Sequence, residues 1–256
     1  LKEQKHTVAM TGDGVNDVLA LKESDCSIAM ASGSDASKTV SQVVLLDSNF
    51  ASMPRIVNEG RRSINNLQRS ASLFLVKAIF SAIIAVLFIF LSSDYPFQPI
   101  QFTLINAVTI GVPSFILALE PNKERVHGLF IVNVIKKSLP GAMTMVFNIM
   151  LLMAVSSFLN FSPEQISTLA VIITGYTGLM TLFKVCIPFN LKNMVLFSLM
   201  VTTFVVALIF FKSFFAVVGL TLPMVLVLVP MMLVATSLMA VVLHIIEKVV
   251  MRKIGD

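Results

Sequence analysis

Two aspartates and an asparagine lie close together near the start of the sequence, in a segment whose residue types suit metal binding. Residues 11–17 read Thr-Gly-Asp-Gly-Val-Asn-Asp, so Asp13 and Asp17 are four positions apart and Asn16 precedes the second. Carboxylate and amide oxygens at this density favour Mg²⁺, which commonly takes one or two carboxylates together with phosphate and water. Either aspartate alone would also be explained as the cap of a glycine-rich turn.

Short apolar strands and short helices alternate around this turn. Such alternation is typical of a parallel α/β sheet, whose ligands bind at the carboxyl ends of the strands. The sequence therefore predicts an α/β unit over residues 1–48, with the aspartates at the carboxyl edge of its sheet. The predicted strands are 7–10, 27–30 and 43–46, and the predicted helices are 16–22 and 36–42.

A second group of polar residues lies inside an apolar stretch. Asn106 and Thr109 are three positions apart, on one face of a helix, and Pro113 follows one turn later. Because proline removes a backbone donor and clashes with the preceding turn, we expect a break there. Loosened backbone within a membrane lines a cavity or is buried in protein, and its carbonyls can bind a cation. A proline kink whose polar side chains bond a neighbouring helix is an equally good interpretation.

Two charged residues near this stretch are further candidates for a transport site. Lys77 lies about two turns inside an apolar segment, where a charge is costly enough to indicate function, although its stem can equally carry the ammonium to the interface. For Glu120, at the end of the stretch, an interfacial carboxylate is a simpler interpretation than a gate. Other polar and small residues are predicted to hold helices together: Asn148, Thr174, Gly175, Tyr176, Thr177 and Gly178.

Long apolar runs fill the rest of the sequence, of which 56% is apolar and 13% is charged. This composition excludes an ordinary soluble protein. The first run continues a polar helical stretch, so residues 49–70 are expected to form a cytoplasmic stalk helix. A run of about 20 residues crosses a bilayer. Six transmembrane helices are predicted within residues 71–247, at about 71–92, 99–119, 138–159, 166–187, 194–211 and 220–246.

The loops between these runs carry basic residues almost entirely on one side, which by the positive-inside rule is the cytoplasmic side. Both ends of the chain, including a tail at 248–256, are therefore expected in the cytoplasm. The net charge of +5 comes from these short clusters rather than from one basic face, so no nucleic-acid partner is predicted. Cys26 and Cys186 are far apart and lack any metal-binding spacing, so the sequence supports neither a disulfide framework nor a zinc site.

The aspartate turn carries a family resemblance. Gly-Asp-Gly-Val-Asn-Asp at 12–17, followed by Ala-Leu-Lys at 20–22 and Ile-Ala-Met at 28–30, closely resembles the hinge motif of P-type ATPases, members of the haloacid dehalogenase-like superfamily. The strings at 16–22, 73–77 and 109–113 look most like the bacterial group called cation-transporting ATPase E. Further matches fall in family order at 47–50, 59–61 and 65–66.

This resemblance implies a partial haloacid dehalogenase-like (Rossmann-like) α/β phosphorylation domain joined to an all-α bundle of six transmembrane helices. It implies Mg²⁺ and ATP as cofactors and an aspartyl phosphate as intermediate, with Asp13 as metal ligand. Asn16 and Asp17 support it, and Gly12 and Gly14 shape the motif. It also implies a transported cation, Ca²⁺ by group resemblance, and a place in the bacterial cell membrane.

The sequence also departs from the calcium pumps of the well-known animal type. Ile110 stands where those pumps carry an aspartate, and residues 78–81 lack their acidic residue. A monovalent ion or a differently bound divalent ion therefore stays open. So do a lipid- or polyamine-transporting ATPase and a non-catalytic membrane relic or partner subunit. Because the chain begins at Leu1, we expect it to be a C-terminal piece whose missing N-terminal part holds the phosphorylated aspartate, and to be inactive alone.

Overall fold

The computed structural model describes residues 1–91 and 93–254. These residues form two compact units, one of Leu1–Gly60 and one that begins at Arg61.

The first unit contains a three-stranded parallel sheet in the order β1-β2-β3, with helices between the strands. This confirms the predicted alternation of strands and helices. The apolar side chains of Leu21, Ile28, Ala29 and Leu45 are buried and form its core. The elements are β1 (Ala9–Gly12), a 3₁₀ turn (Val15–Asp17), α1 (Val18–Glu23), β2 (Cys26–Met30), α2 (Asp35–Val40) and β3 (Val43–Leu45).

The second unit is helical, and six helices of the described chain are long and apolar enough to cross a membrane. The predicted number of membrane-capable helices is thus confirmed. The helix α3 runs without interruption from Met53, so its first residues belong to the first unit. The helices are α3 (Met53–Phe90), α4 (Pro99–Asn106), α5 (Val112–Ala118), α6 (Phe130–Leu159), α7 (Pro163–Val185), α8 (Leu191–Phe210) and α9 (Leu222–Ile254).

The second of these spans is irregular rather than broken. A π-helical segment, Ala107–Gly111, joins α4 to α5, and the N–H of Val112 donates to the carbonyl of Ala107, five residues back. The predicted break at Pro113 is therefore wrong. Proline has no N–H to donate to the carbonyl of Thr109. A wider turn with one extra residue accommodates this missing hydrogen bond, and the chain stays helical.

The helix α7 is the centre of the second unit, because it is the most buried of the six spans. Side chains from three neighbouring helical segments pack against its glycines. A methyl group built on Gly175 would lie 2.1 Å from Cζ of Phe204 in α8, and one on Gly178 would lie 2.7 Å from Cγ2 of Thr109. Small residues at these points let neighbouring helices approach closely, as predicted for this pair.

Candidate functional site

The aspartate turn follows β1 directly and therefore lies at the carboxyl edge of the sheet, as predicted. Its shape is fixed by Asp17, whose Oδ2 accepts hydrogen bonds from the N–H groups of Asp13 and Gly14, both at 3.1 Å. The carbonyl of Asp13 accepts from the N–H of Ser34 at 2.7 Å and from Oγ of Ser37 at 3.2 Å. Backbone and side chains from α2 thus hold the turn in place.

Two glycines give this turn its room. A methyl group built on Gly12 would lie 2.6 Å from Cβ of Asp17, and one built on Gly33 would lie 2.7 Å from the carbonyl oxygen of Asp13. Real Cβ atoms essentially never come so close. Gly33, Ser34 and Ser37 were missed by the sequence analysis, because nothing local links the start of α2 to residue 13.

The side chains of the turn fit a magnesium ion that takes its remaining ligands from phosphate and water. Asp13 and Asn16 are exposed, and within the described chain no side chain hydrogen bonds to the Asp13 carboxylate. Asp17 uses only one carboxylate oxygen for the turn. The described residues contain no cluster of three or more His, Cys, Asp or Glu side chains that would enclose a metal alone. One free carboxylate beside an amide is the donor set of an open Mg²⁺ site.

The second unit encloses a small cavity between α3, the second span, α6 and α7, with a volume of about 20 Å³. That is room for about one water-sized particle. Three of the five predicted transport candidates line it, namely Lys77, Asn106 and Thr109, whereas Pro113 and Glu120 do not. The remaining lining residues are Leu73, Val76, Phe80, Phe102, Ile105, Ile110, Met145, Thr174, Gly178 and Thr181.

The polar groups of this cavity are neutral except for one amine. Thr109 is 3% exposed, and its hydroxyl donates to the carbonyl of Ile105 at 2.7 Å, which leaves the oxygen lone pairs for a ligand. Asn106 is half-buried and Lys77 is exposed. The buried Ile110 adds an apolar wall. Among the described residues no carboxylate lines the cavity.

The α6 and α7 side of the cavity was not predicted from the sequence. Thr174, Gly178 and Thr181 follow one another at helical spacing on one face of α7, and Met145 lies across from them on α6. The spacing was visible in the sequence, but only the packing shows that this face borders Asn106 rather than another helix.

Glu120 lies in a polar cluster of its own at one end of the spans. Its Oε2 accepts a hydrogen bond from the guanidinium of Arg69 in a nearly buried ion pair. Its Oε1 accepts from Nδ2 of Asn190 at 2.7 Å and of Asn193 at 3.3 Å, and its carbonyl accepts from Nδ2 of Asn66 at 2.7 Å. We call these five residues the Glu120 cluster. They bind α3, the end of α5 and the start of α8 together.

Cys186 packs against the Glu120 cluster. Asn193 Nδ2 also donates to the Cys186 carbonyl at 3.0 Å, and the thiol is fully buried. Burial raises the pKa of the Cys186 thiol to about 11. The residue is therefore a protonated and protected thiol in the folded protein.

The predicted interhelical hydrogen bonds are only partly present. The hydroxyl of Tyr176 bonds Oγ1 of Thr236 in α9 at 2.9 Å, which confirms its role. Thr177 instead donates to its own helix, to the carbonyl of Ile173 at 2.8 Å. For Asn148 and Thr174 the prediction is wrong, because their buried side-chain polar atoms have no hydrogen-bond partner among the described residues.

Sequence comparisons connect the chain with known transport proteins. It is 40% identical over 204 residues to the probable cation-transporting ATPase exp7 of Streptococcus pneumoniae, a match that covers 77% of this chain and 26% of the relative. It is 41% identical over 212 residues to the calcium-transporting ATPase CtpE of Mycobacterium tuberculosis, covering 74% and 26%. Identity to CtpE of Mycolicibacterium smegmatis is 49% over 153 residues, covering 56% and 19%.

The first two matches cover about three quarters of this chain, and the chain spans about a quarter of the length of these relatives. No protein-family model matches the chain. The resemblance first drawn from the aspartate turn is nevertheless confirmed by relatives at 40–49% identity. By sequence, this chain is a relative of the P-type cation-transporting ATPases.

Proposed function

We propose that this chain is part of an ATP-driven pump that moves a cation across the bacterial cell membrane. The observation that carries the proposal is the aspartate turn, in which Asp17 fixes the backbone and leaves the Asp13 carboxylate exposed at the carboxyl edge of the sheet. In the proposal this turn belongs to a haloacid dehalogenase-like phosphorylation domain, and both ends of the chain are cytoplasmic.

The roles of the turn residues follow from their contacts. Asp13 would bind Mg²⁺ with its free carboxylate, Asn16 would orient phosphate or water beside it, and Asp17 would hold the turn through its two backbone hydrogen bonds. The metal, when bound, would neutralise charge on the phosphoryl group of an aspartyl phosphate. ATP itself would be bound mainly outside this chain.

The cavity is the proposed transport site. Asn106 and Thr109 supply neutral oxygens there, and the π-helical segment beside them brings irregular backbone to the same place. Neutral oxygens and carbonyls are ligands that Ca²⁺ accepts. Relatives named as calcium-transporting make Ca²⁺ the first ion to test.

The turn is tested in the full-length pump that contains this chain. We expect Asp13→Asn to lower cation-stimulated ATP hydrolysis by roughly 100-fold or more, as when a group that stabilises transition-state charge is lost, while the protein still inserts in the membrane. Asp35→Asn is the matched control, because its carboxylate lies in the same unit, is 98% exposed and pairs only with Lys38 in the described residues. Wild-type activity in Asp13→Asn would refute the role of the turn.

The cargo is tested by measuring ATP hydrolysis with Ca²⁺, Na⁺ and K⁺ one at a time, and then with added phospholipid or polyamine. Stimulation by Ca²⁺ with a shifted concentration dependence in Lys77→Ala would support cation transport through the cavity. Stimulation by lipid or polyamine alone would replace the cation by that cargo. A full-length protein without any stimulated hydrolysis would favour a non-catalytic membrane protein.

A further inference from the structure

Three buried polar side chains of α6 and α7, one of which lines the cavity, have no hydrogen-bond partner among the described residues. Asn148 is 1% exposed, and both its Oδ1 and its Nδ2 lack a partner. Oγ1 of Thr144, which is fully buried, and Oγ1 of Thr174, which is 2% exposed, are in the same state. Buried polar atoms are almost always hydrogen-bonded in proteins, so four such atoms in one region call for a ligand.

Other buried threonines of the spans have hydrogen-bond partners within their own helices. Thr109, Thr177 and Thr181 each donate to the carbonyl four residues back in their own helix, at 2.7, 2.8 and 3.0 Å. This is the usual way in which a buried hydroxyl is satisfied in a helix. Thr144 and Thr174 do not use it.

Helix packing brings Asn148 and Thr174 to one level of the α6–α7 interface, with Thr144 one turn away. A methyl group built on Gly141 of α6 would lie 2.4 Å from Oγ1 of Thr181 in α7, and one built on Gly178 would lie 3.4 Å from Cε of Met145. The two helices are antiparallel, so one turn further along this register Asn148 of α6 lies level with Thr174 of α7. Thr144 is four residues before Asn148, on the same face of α6.

Thr174 connects this group to the cavity. It lines the cavity together with Asn106 and Thr109, and Gly178, one turn along α7, contacts Thr109. The cavity has room for about one water-sized particle, so a cation held there would fill it and a water that the cation retains would lie beside the cavity.

We propose that Asn148, with Thr144 and Thr174, forms a further wall of the cation site and binds a water molecule that the transported cation retains. This inference rests on the proposed pump function. A cation-bound water donates two hydrogen bonds, for which Asn148 Oδ1 and Thr174 Oγ1 are acceptors. The helix α6 thereby contributes to selectivity for a cation that is only partly dehydrated.

The test uses the full-length pump and two readouts, the Ca²⁺ concentration that half-stimulates ATP hydrolysis and the Ca²⁺-induced rise in melting temperature, which needs no turnover. We expect Asn148→Leu and Thr174→Val to raise the half-stimulating concentration roughly tenfold, as for a lost hydrogen bond to a charged group. We expect Asn148→Asp, whose carboxylate only accepts, to match or exceed wild-type affinity.

Tyr176→Phe is the control, because it removes an interhelical hydrogen bond of the same helix without touching the proposed site. It should lower the melting temperature and leave the Ca²⁺ dependence unchanged. The melting temperature of Ca²⁺-free Asn148→Leu should equal or exceed that of the wild type, because an unsatisfied amide is replaced by an apolar group of similar size.

Wild-type Ca²⁺ dependence in both Asn148→Leu and Thr174→Val would overturn the inference while leaving the pump function intact. A wild-type protein that shows neither Ca²⁺-stimulated hydrolysis nor Ca²⁺-induced stabilisation would overturn both for Ca²⁺. Stabilisation without hydrolysis that is weakened by Asn148→Leu would support the site and contradict the proposed pump function.

Discussion

Loss of the Glu120 carboxylate is expected to open the segment between α7 and α8. The Arg69 and Glu120 side chains are only 6% and 11% exposed, so the weak energies of surface ion pairs do not apply to them. Removing one partner of a buried pair costs about 3–5 kcal/mol, because the other charge stays buried without its counter-ion. Glu120→Gln keeps an oxygen that accepts from Asn190 and Asn193. It removes the charge and replaces the oxygen that accepts from Arg69 by an amide group that can only donate.

Cys186 reports this opening. Its thiol is fully buried, and its carbonyl accepts from Asn193, which also contacts Glu120. Labelling of a protected thiol by a maleimide follows the population of the locally open state. Since about 1.4 kcal/mol corresponds to a tenfold change in population, Glu120→Gln should raise the labelling rate by roughly 100-fold to 4,000-fold if the whole cost falls on this segment.

The assay is carried out in a Cys26→Ser background, with any cysteine outside these residues also replaced. The control is the double variant Arg69→Met with Glu120→Leu, which replaces the pair by apolar groups and should label nearly as slowly as the wild type. A wild-type labelling rate in Glu120→Gln would refute the reasoning. So would a double variant that labels as fast as the single one.

Two further outcomes are expected from packing and burial. Because burial raises the pKa of Cys186 to about 11, labelling of this thiol in the folded protein should keep rising about tenfold per pH unit beyond the pKa of a free thiol, and a plateau near that ordinary pKa would contradict its burial. Gly175→Ala should lower the melting temperature through an overpacking cost of about 1–3 kcal/mol against Phe204, and Phe204→Leu should restore part of it; an unchanged melting temperature would contradict the close packing of α7 and α8.

Elements with a local sequence signal were predictable. Strands and helices of the first unit follow from the spacing of apolar residues, and the Asp13 turn follows from seven consecutive residues. Span ends were less predictable. The third span was expected to begin at 138, whereas α6 begins at Phe130. Lys136 and Lys137 interrupt the apolar run without interrupting a helix, since lysine is a good helix former.

Features that depend on contacts between distant residues were not predictable. Arg69 and Glu120 are 51 positions apart, and no local pattern pairs them. In the sequence, Thr174 resembles any threonine that contacts a neighbouring helix. Its position beside Asn106 depends on how α7 packs. The π-helical segment escaped prediction for another reason. A proline signals that a helix is disturbed, but it does not specify whether the chain unwinds or widens by one residue.

The extra residue in the π-helical turn determines which side chains of the rest of the second span face inward. An α-helix advances about 100° per residue, so a regular continuation of the buried stripe through Leu104 and Val108 would turn Val112 and Phe115 inward. Instead these two are 43% and 69% exposed, while Leu117 is 1% exposed. Deleting one residue from Ala107–Gly111 would rotate the rest of the span by about 100° and move part of its lipid-exposed face, with Val112 and Phe115, toward the inside. The number of residues in Ala107–Gly111 is therefore constrained by packing, whereas the number of residues in a loop is not.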